Sequence, residues 1–360
     1  MMRPRPDKSS HDTNMPSARI QWIDFCRVWT AFFVIVRHTY APEGSFFFLA
    51  DLFNYRSLIF FFFFASGLFS KGMENPTAGG GYRYLDIRRF GQIMSMFVFW
   101  SLLGALLLSP LHYQEIWSQG EIVWGNILPA LGITWAFGWN VPLWFLRVLM
   151  VLALLAPLLH RLSNRVLVVF IIGMLAAGEV FCIEAWEEGG DASVLVPYRM
   201  YESLYAWGFF AAGILLKRTM GISGLTAFLQ GTGWLIILFA VILFVPVRLW
   251  GLMPPCRSGM LVVLGVGTIL SIGCLVERYA PMVCRYVSSW GAAAFFIYVT
   301  HYIIISYVKL LWNHLFDWGI TGSLVVPVLT LFLCCVLFTV MRRAFPSLMC
   351  SIAMVKPVRK

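Results

Sequence analysis

Charge is what this sequence has least of. Lys, Arg, Asp and Glu make up 12% of its 360 residues, while apolar residues make up 60%. That is about half the charged share of a water-facing globule. Mean hydropathy is +0.78. Too little polar surface exists to cover a core of that size, which excludes a soluble domain and a disordered chain alike. Acidic residues are the scarcer sign, 17 against 27 Lys and Arg. The basic residues fall between apolar runs, so their excess is read as membrane topology, and no nucleic acid partner is expected. Paired cysteine spacings are also lacking. Of the eight cysteines (26, 182, 256, 274, 284, 334, 335, 350), only Cys334 and Cys335 are close, and adjacency is not a ligand spacing. They read as small buried residues without a disulfide framework, and no metal is expected. No small-residue cleavage site follows the first apolar run, so that run is expected to remain as an anchor.

What is present is a series of runs long enough to cross the hydrocarbon core, which takes about 20 apolar residues. They lie at 20–41, 46–70, 90–110, 142–160, 166–183, 199–216, 232–249, 258–276, 290–312 and 323–341. The expected fold is an all-α polytopic membrane protein of about ten transmembrane helices. The runs do not alternate polar and apolar residues as barrel strands would. Residues 1–19 read as an N-terminal tail, 20–341 as the membrane domain and 342–360 as a C-terminal tail.

Lys and Arg give the orientation. Arg3, Arg5, Lys8 and Arg19, then Lys71, Arg83, Arg88 and Arg89, then Arg161, Arg165, Lys217, Arg218, Arg278 and Arg285, and finally Arg342, Arg343, Lys356, Arg359 and Lys360 fall on one side of a ten-span arrangement. The other side has Arg199, Arg248, Arg257 and Lys309, with the acidic stretch Glu184, Glu187, Glu188 and Asp191. The positive-inside rule then makes both termini cytoplasmic.

Ionisable groups within spans are costly and each needs a reason. The first span holds Asp24, Arg27, Arg37 and His38. Arg27 and His38 are eleven positions apart, about three helical turns, so they project from nearly one face with a rise of roughly 16 Å between them. They cannot touch, and would grip separate parts of one long ligand or separate ligands. Asp24 stands three residues before Arg27, the spacing of an orienting ion pair. Taken singly, Arg27 also fits a snorkelling interfacial arginine and His38 a polar helix end.

These residues resemble the acyltransferase 3 family of membrane O-acyltransferases. Members open with Arg, ten residues and His, here Arg27 to His38. The resemblance extends to Phe60–Phe64 before Ser66-Gly67, to Leu143-Trp144-Phe145-Leu146, and to Tyr298-Val-Thr-His301. Arg89 matches the first arginine of a family loop motif, whereas Gln92 and Met96 occupy the places of its second arginine and its proline. The resemblance implies transfer of an acyl group, usually acetyl from cytoplasmic acetyl-CoA, to a hydroxyl of an extracytoplasmic glycan or lipid-linked sugar. It also implies a multi-pass protein of the bacterial inner membrane.

The residue layout suits that chemistry. A sugar hydroxyl needs a base, and an imidazole is suited to the task near neutral pH. His38 is the expected base for direct transfer or, alternatively, the carrier of a transient acyl group, with Arg27 and Asp24 completing the catalytic set. Ser66, Arg37 and Arg147 are candidate donors to the developing thioester oxyanion. Arg89, Arg147 and Ser66 are expected to serve the cofactor, and His301, Tyr298, Arg37 and Trp144 the acceptor. Arg147 fits equally well an ion pair with Glu179 or Glu202, and His301 a core histidine bonded to a backbone carbonyl. Asp51 and Arg56 read as structural. The loop Gly79–Gly81 with Arg83 and Arg88 reads as a flexible basic loop, and Trp117, Trp124, Trp135 and Trp139 as interfacial anchors. Tyr198, Arg199 and Glu202 form a smaller candidate acceptor site. The main competing function is a transporter of a sugar or lipid intermediate, which buried Arg, His and Glu would also serve, and a second is a non-catalytic membrane sensor or assembly partner.

Overall fold

The computed structural model describes residues 20–39, 55–70, 86–112, 117–118, 121–122, 140–187, 195–249 and 259–353. The side chains of 55, 117–118, 121–122, 182–187, 195–201, 245–249 and 320 are excepted. The helices are α1 (Gln21–His38), α2 (Tyr55–Leu68), α3 (Ile87–Leu108), α4 (Trp144–Leu159), α5 (Asn164–Glu187), α6 (Leu195–Thr219), α7 (Gly221–Leu249), α8 (Gly259–Tyr279), α9 (Pro281–Ser289), α10 (Ala294–Leu315), α11 (Gly319–Ala344) and α12 (Pro346–Ala353). One antiparallel ladder, β1 (Trp117–Ser118) with β2 (Glu121–Ile122), interrupts them. Its place in the chain is the expected outer loop.

Each of the ten expected spans overlaps a helix, with 40–41, 46–54 and 258 lying outside the described residues. Among the described residues, seven helices are long and apolar enough to cross a membrane: α3, α4 with the turn Val141–Leu143 before it, and α5, α7, α8, α10 and α11. In α2 the described apolar stretch, Arg56–Leu68, is shorter. Over α1 the charges of Asp24, Arg27 and Arg37 interrupt an otherwise apolar helix.

Local chemistry sets the ends. Asp24 stands in the first turn of α1, and Arg37 and His38 in its last, the arrangement that complements the helix dipole. Asp86 caps α3 by accepting the Arg89 amide at 3.0 Å. Gly221 adopts φ 65°, a left-handed conformation that lets α7 follow α6 with only Met220 between them.

Small residues let helix backbones approach closely, as is usual in membrane bundles. A Cβ at Gly67 in α2 would lie 1.9 Å from the Phe210 carbonyl oxygen in α6, and one at Gly213 would lie 2.2 Å from that of Phe64. At the α1–α8 crossing, a Cβ at Gly273 would lie 2.2 Å from Cys26 Sγ. The thiol of Cys26 donates to the Ile269 carbonyl at 3.3 Å. The phenylalanine run of α2 interlocks with its neighbours. Phe60 stacks on Phe209 at 5.5 Å, and Phe63 meets Phe145 at 4.5 Å.

Several helix ends gather on one face of the bundle. Two adjacent cations at the end of α6 cap two other helices. Lys217 Nζ donates to the Ser70 carbonyl after α2 at 2.9 Å. Arg218 donates to the Leu162 carbonyl at 2.7 Å and also to that of His160, both just past α4. The start of α1 joins the start of α7 on this face, Trp22 Nε1 donating to Thr226 Oγ1 at 3.1 Å. Arg278, at the end of α8, donates to the Gln230 carbonyl at 3.1 Å. The cations Lys217, Arg218 and Arg278 thus each donate to a backbone carbonyl of a neighbouring segment.

Two short helices have no counterpart among the expected spans. Helix α9 packs against α1 and α8. Helix α12 falls within the expected tail 342–360, yet it packs on α3, where Trp100 Nε1 donates to the Ile352 carbonyl at 2.9 Å. Eight residues are too few to register as a span, which is why hydropathy left this segment as tail.

Candidate functional site

Helix α1 carries Arg27 and His38 on one stripe, and each meets a different part of the bundle. Arg27 Nη1 donates to Asp24 Oδ1 at 2.9 Å, one turn back, the spacing expected for an orienting pair. The guanidinium lies 5.0 Å from the ring centroid of Phe69, at the end of α2. That packing is a cation–π contact. Asp24 is nearly buried, at 10% side-chain exposure, and Arg27 is 31% exposed. The carboxylate fixes the arginine while part of its fork stays accessible. Between Arg27 and His38 the stripe is filled by Ala31 and Val34, both buried.

The last residue of α1, His38, packs against α10. Its ring centroid is 5.2 Å from that of His301 and 5.3 Å from that of Tyr302, which meets it edge-on. His301 is fully buried. Its Nδ1 lies 2.7 Å from the Tyr298 carbonyl and 3.2 Å from that of Ile297. Those acceptors require a proton on Nδ1, so in the neutral ring Nε2 is the bare nitrogen. Among the described residues no hydrogen-bond partner reaches Nε2. The cations Arg37 and Lys309 both bear on His38 electrostatically.

Tyr298, Phe145 and Phe62 close the floor beneath this pair. Tyr298 lies 5.1 Å from Phe145 and 5.4 Å from Phe62, ring to ring, and 5.9 Å from His301. Buried Glu202 acts electrostatically on Tyr298, which draws one member of the smaller candidate site toward the main one. Tyr198 and Arg199 lie outside the described side chains. Trp144 is buried against Phe63 at 6.0 Å, and Arg147 stands one turn further along α4, half-buried.

Ser66 is half-buried one turn before Phe69, so it shares that face of α2 and lies about 5 Å deeper than the level of Arg27. Arg89 belongs to a different pair of helices, in the first turn of α3 where α3 meets α4. Glu179, one of the two acids considered for Arg147, accepts the Tyr205 hydroxyl and, at 2.6 Å, the Gly259 amide. Arg56 is buried in α2. Asp51, the Gly79–Gly81 loop with Arg83, and Trp124, Trp135 and Trp139 lie outside the described residues, as does the Trp117 side chain.

Tyr302 and Phe69 are site residues that sequence reasoning did not single out. The signals were slight: Tyr302 is adjacent to His301, and Phe69 follows the phenylalanine run. What brings them in is helix packing.

The depth of the histidine pair also comes from packing. Helix α10 continues fourteen residues beyond His301, roughly 21 Å. The imidazoles therefore sit well below the far end of α10, although His38 is the end of its own helix. A base at this level, with a guanidinium three turns away, can serve a reaction whose two substrates enter from opposite faces.

Comparison with known families matches residues 20–341 to the acyltransferase domain of the acyltransferase 3 family. No curated protein and no solved structure matches the chain by the same kind of comparison.

Proposed function

This chain belongs to the acyltransferase 3 family and is a multi-pass membrane acyltransferase, and on that premise we propose that it O-acetylates a surface glycan or its lipid-linked precursor. The donor is acetyl-CoA, entering from the cytoplasm at the Arg27 end of α1. The acceptor hydroxyl meets the thioester beside His38. The proposal includes ten crossings with both termini cytoplasmic, 1–19 and 342–360 flanking the membrane domain 20–341, and placement in a bacterial inner membrane.

The observation that carries this reading is the single stripe of α1. It holds a guanidinium against Phe69 at one level and an imidazole against His301 and Tyr302 about three turns away. A CoA arm is long and thin, and in this reading it runs along the stripe with its anionic head toward Arg27 and its thioester toward His38. His38 removes the hydroxyl proton as the C–O bond forms. The C–S bond breaks and the proton passes to the departing thiolate. Donors near the thioester, with Ser66, Arg37 and Arg147 as candidates, stabilise the oxyanion. Arg89 would contact the cofactor at the start of α3, and Trp144, Tyr298 and His301 would line the acceptor side.

Membranes containing the protein, incubated with radiolabelled acetyl-CoA, should pass label to glycan. The His38→Ala variant should insert normally and transfer none. Retained transfer in that variant removes His38 from the mechanism.

A further inference from the structure

We propose that His301 is a positioning residue that sets the tautomer of His38, the two forming an imidazole pair anchored on the backbone of α10. This rests on the acyl-transfer reading above. Three observations carry it. The Tyr298 and Ile297 carbonyls converge on His301 Nδ1 at 2.7 and 3.2 Å, which fixes the proton there. The opposite nitrogen, Nε2, is buried with no partner among the described residues, and a buried acceptor left unmatched is costly. The ring of His38 packs against that of His301, 5.2 Å away between centroids and tilted by 45°. The two rings are close enough that rotation of the His38 side chain would bring one of its nitrogens to hydrogen-bond distance of Nε2, about 3 Å.

A His38 N–H donated to His301 Nε2 leaves the other His38 nitrogen as a bare lone pair. That nitrogen is the one a hydroxyl acceptor needs. When the hydroxyl oxygen attacks the thioester carbon, its proton moves to this nitrogen of His38 and the C–S electron pair leaves on sulfur. The resulting imidazolium is stabilised through His301 toward two backbone carbonyls, and the proton then goes to the thiolate, restoring both neutral rings. Tyr302 holds the ring edge-on. The arrangement resembles in logic an orienting acceptor behind a catalytic histidine, with a neutral imidazole in the carboxylate's place.

The test uses the full chain in detergent, labelled with 15N histidine. Six histidines are present, few enough to resolve. The expected spectrum has His301 protonated at Nδ1 and His38 in one tautomer. His301→Leu keeps bulk without an acceptor, and should turn the His38 signal into a tautomer mixture. It should also lower kcat by about a hundredfold with the KM of acetyl-CoA little changed. His301→Gln restores an acceptor oxygen and should recover most of that loss. An unchanged His38 signal in the Leu variant overturns the proposal, as does full kcat there. Glutamine failing to rescue a folded variant overturns it too. These outcomes are separable from failure of the functional reading, which would show as absence of acetyl transfer by the unsubstituted protein.

Discussion

The ring of His38 lies 5.2 Å from the ring of His301, and this contact joins the first helix to the tenth. It places two imidazoles at one level of the bundle, some 21 Å short of the far end of α10. It also gives the stripe of α1 a partner wall. Arg27, three turns away, faces an aromatic ring of α2 instead. The two ends of the stripe therefore occupy different chemical settings.

The Arg27 end can be tested through the donor. Its guanidinium is fixed by Asp24 and Phe69. Arg27→Lys keeps the charge but loses the planar fork and its aromatic packing. The expected result is a KM for acetyl-CoA raised about tenfold, the scale of one lost charge-assisted hydrogen bond, with kcat less affected. Asp24→Asn should give a smaller rise. Steady-state transfer rates at varied donor concentration measure both, and an unchanged KM in Arg27→Lys would move the donor site elsewhere.

Gly67→Ala should destabilise the bundle. The added carbon meets a backbone carbonyl of α6, which cannot yield without shifting that helix. Overpacking of this kind costs about 1–3 kcal/mol, seen as a lower melting temperature in detergent. Gly173 in α5 has nothing among the described residues within 4 Å of the same position. Gly173→Ala should melt at or slightly above the parent, alanine being the better helix former.

Stability should fall on the acid side through His160, which lies just past α4. Its Nε2 pairs with Ser70 Oγ at 2.8 Å, and the Ser70 hydroxyl itself donates to the Gly67 carbonyl at 2.6 Å. His160 therefore serves as the neutral Nε2–H donor. Burial, then the nearby charges of Arg218 and Lys217, lower its pKa from the ordinary 6.5 to about 4. Between those two values the unfolded chain binds a proton that the folded one refuses. The contribution is thus present above pH 6.5 and lost as pH falls to about 4. Melting temperatures across this window should drop less for His160→Gln, which keeps a donor but does not titrate. Equal slopes would show that His160 does not contribute.

Thiol labelling tests the orientation. Cys350 in α12 is exposed, whereas Cys26, Cys274, Cys284 and Cys334 are buried. Burial pushes the Cys284 thiol up to about 11, which further suppresses its thiolate. With Cys182 and Cys256 replaced by Ser, a membrane-impermeant maleimide should label Cys350 in inside-out vesicles and leave right-side-out vesicles unlabelled. Labelling from the outside would reverse the proposed topology.

Sequence by itself determined that the chain is helical and membrane-embedded. The reason is that hydrocarbon forces each span to satisfy its own backbone, so length and apolarity are enough to reveal it. It also determined the shared face of Arg27 and His38 and the Asp24 pair, since three- and eleven-residue spacings are properties of one helix. The cations that cap α2 and α4 were legible as a charge pattern, but their partners were not. Hydropathy missed α9 and α12 because short helices are held by tertiary contacts such as the Trp100 indole on Ile352.

Only the tertiary structure decided what each functional group faces. Arg27 meets Phe69, and His38 meets His301 and Tyr302, through helix packing between residues far apart in the chain. Glycine contacts at Gly67, Gly213 and Gly273 fix how closely α2 crosses α6 and α1 crosses α8. Periodicity states which side chains share a face of one helix. It carries no information on which other helix that face is packed against, or at what height.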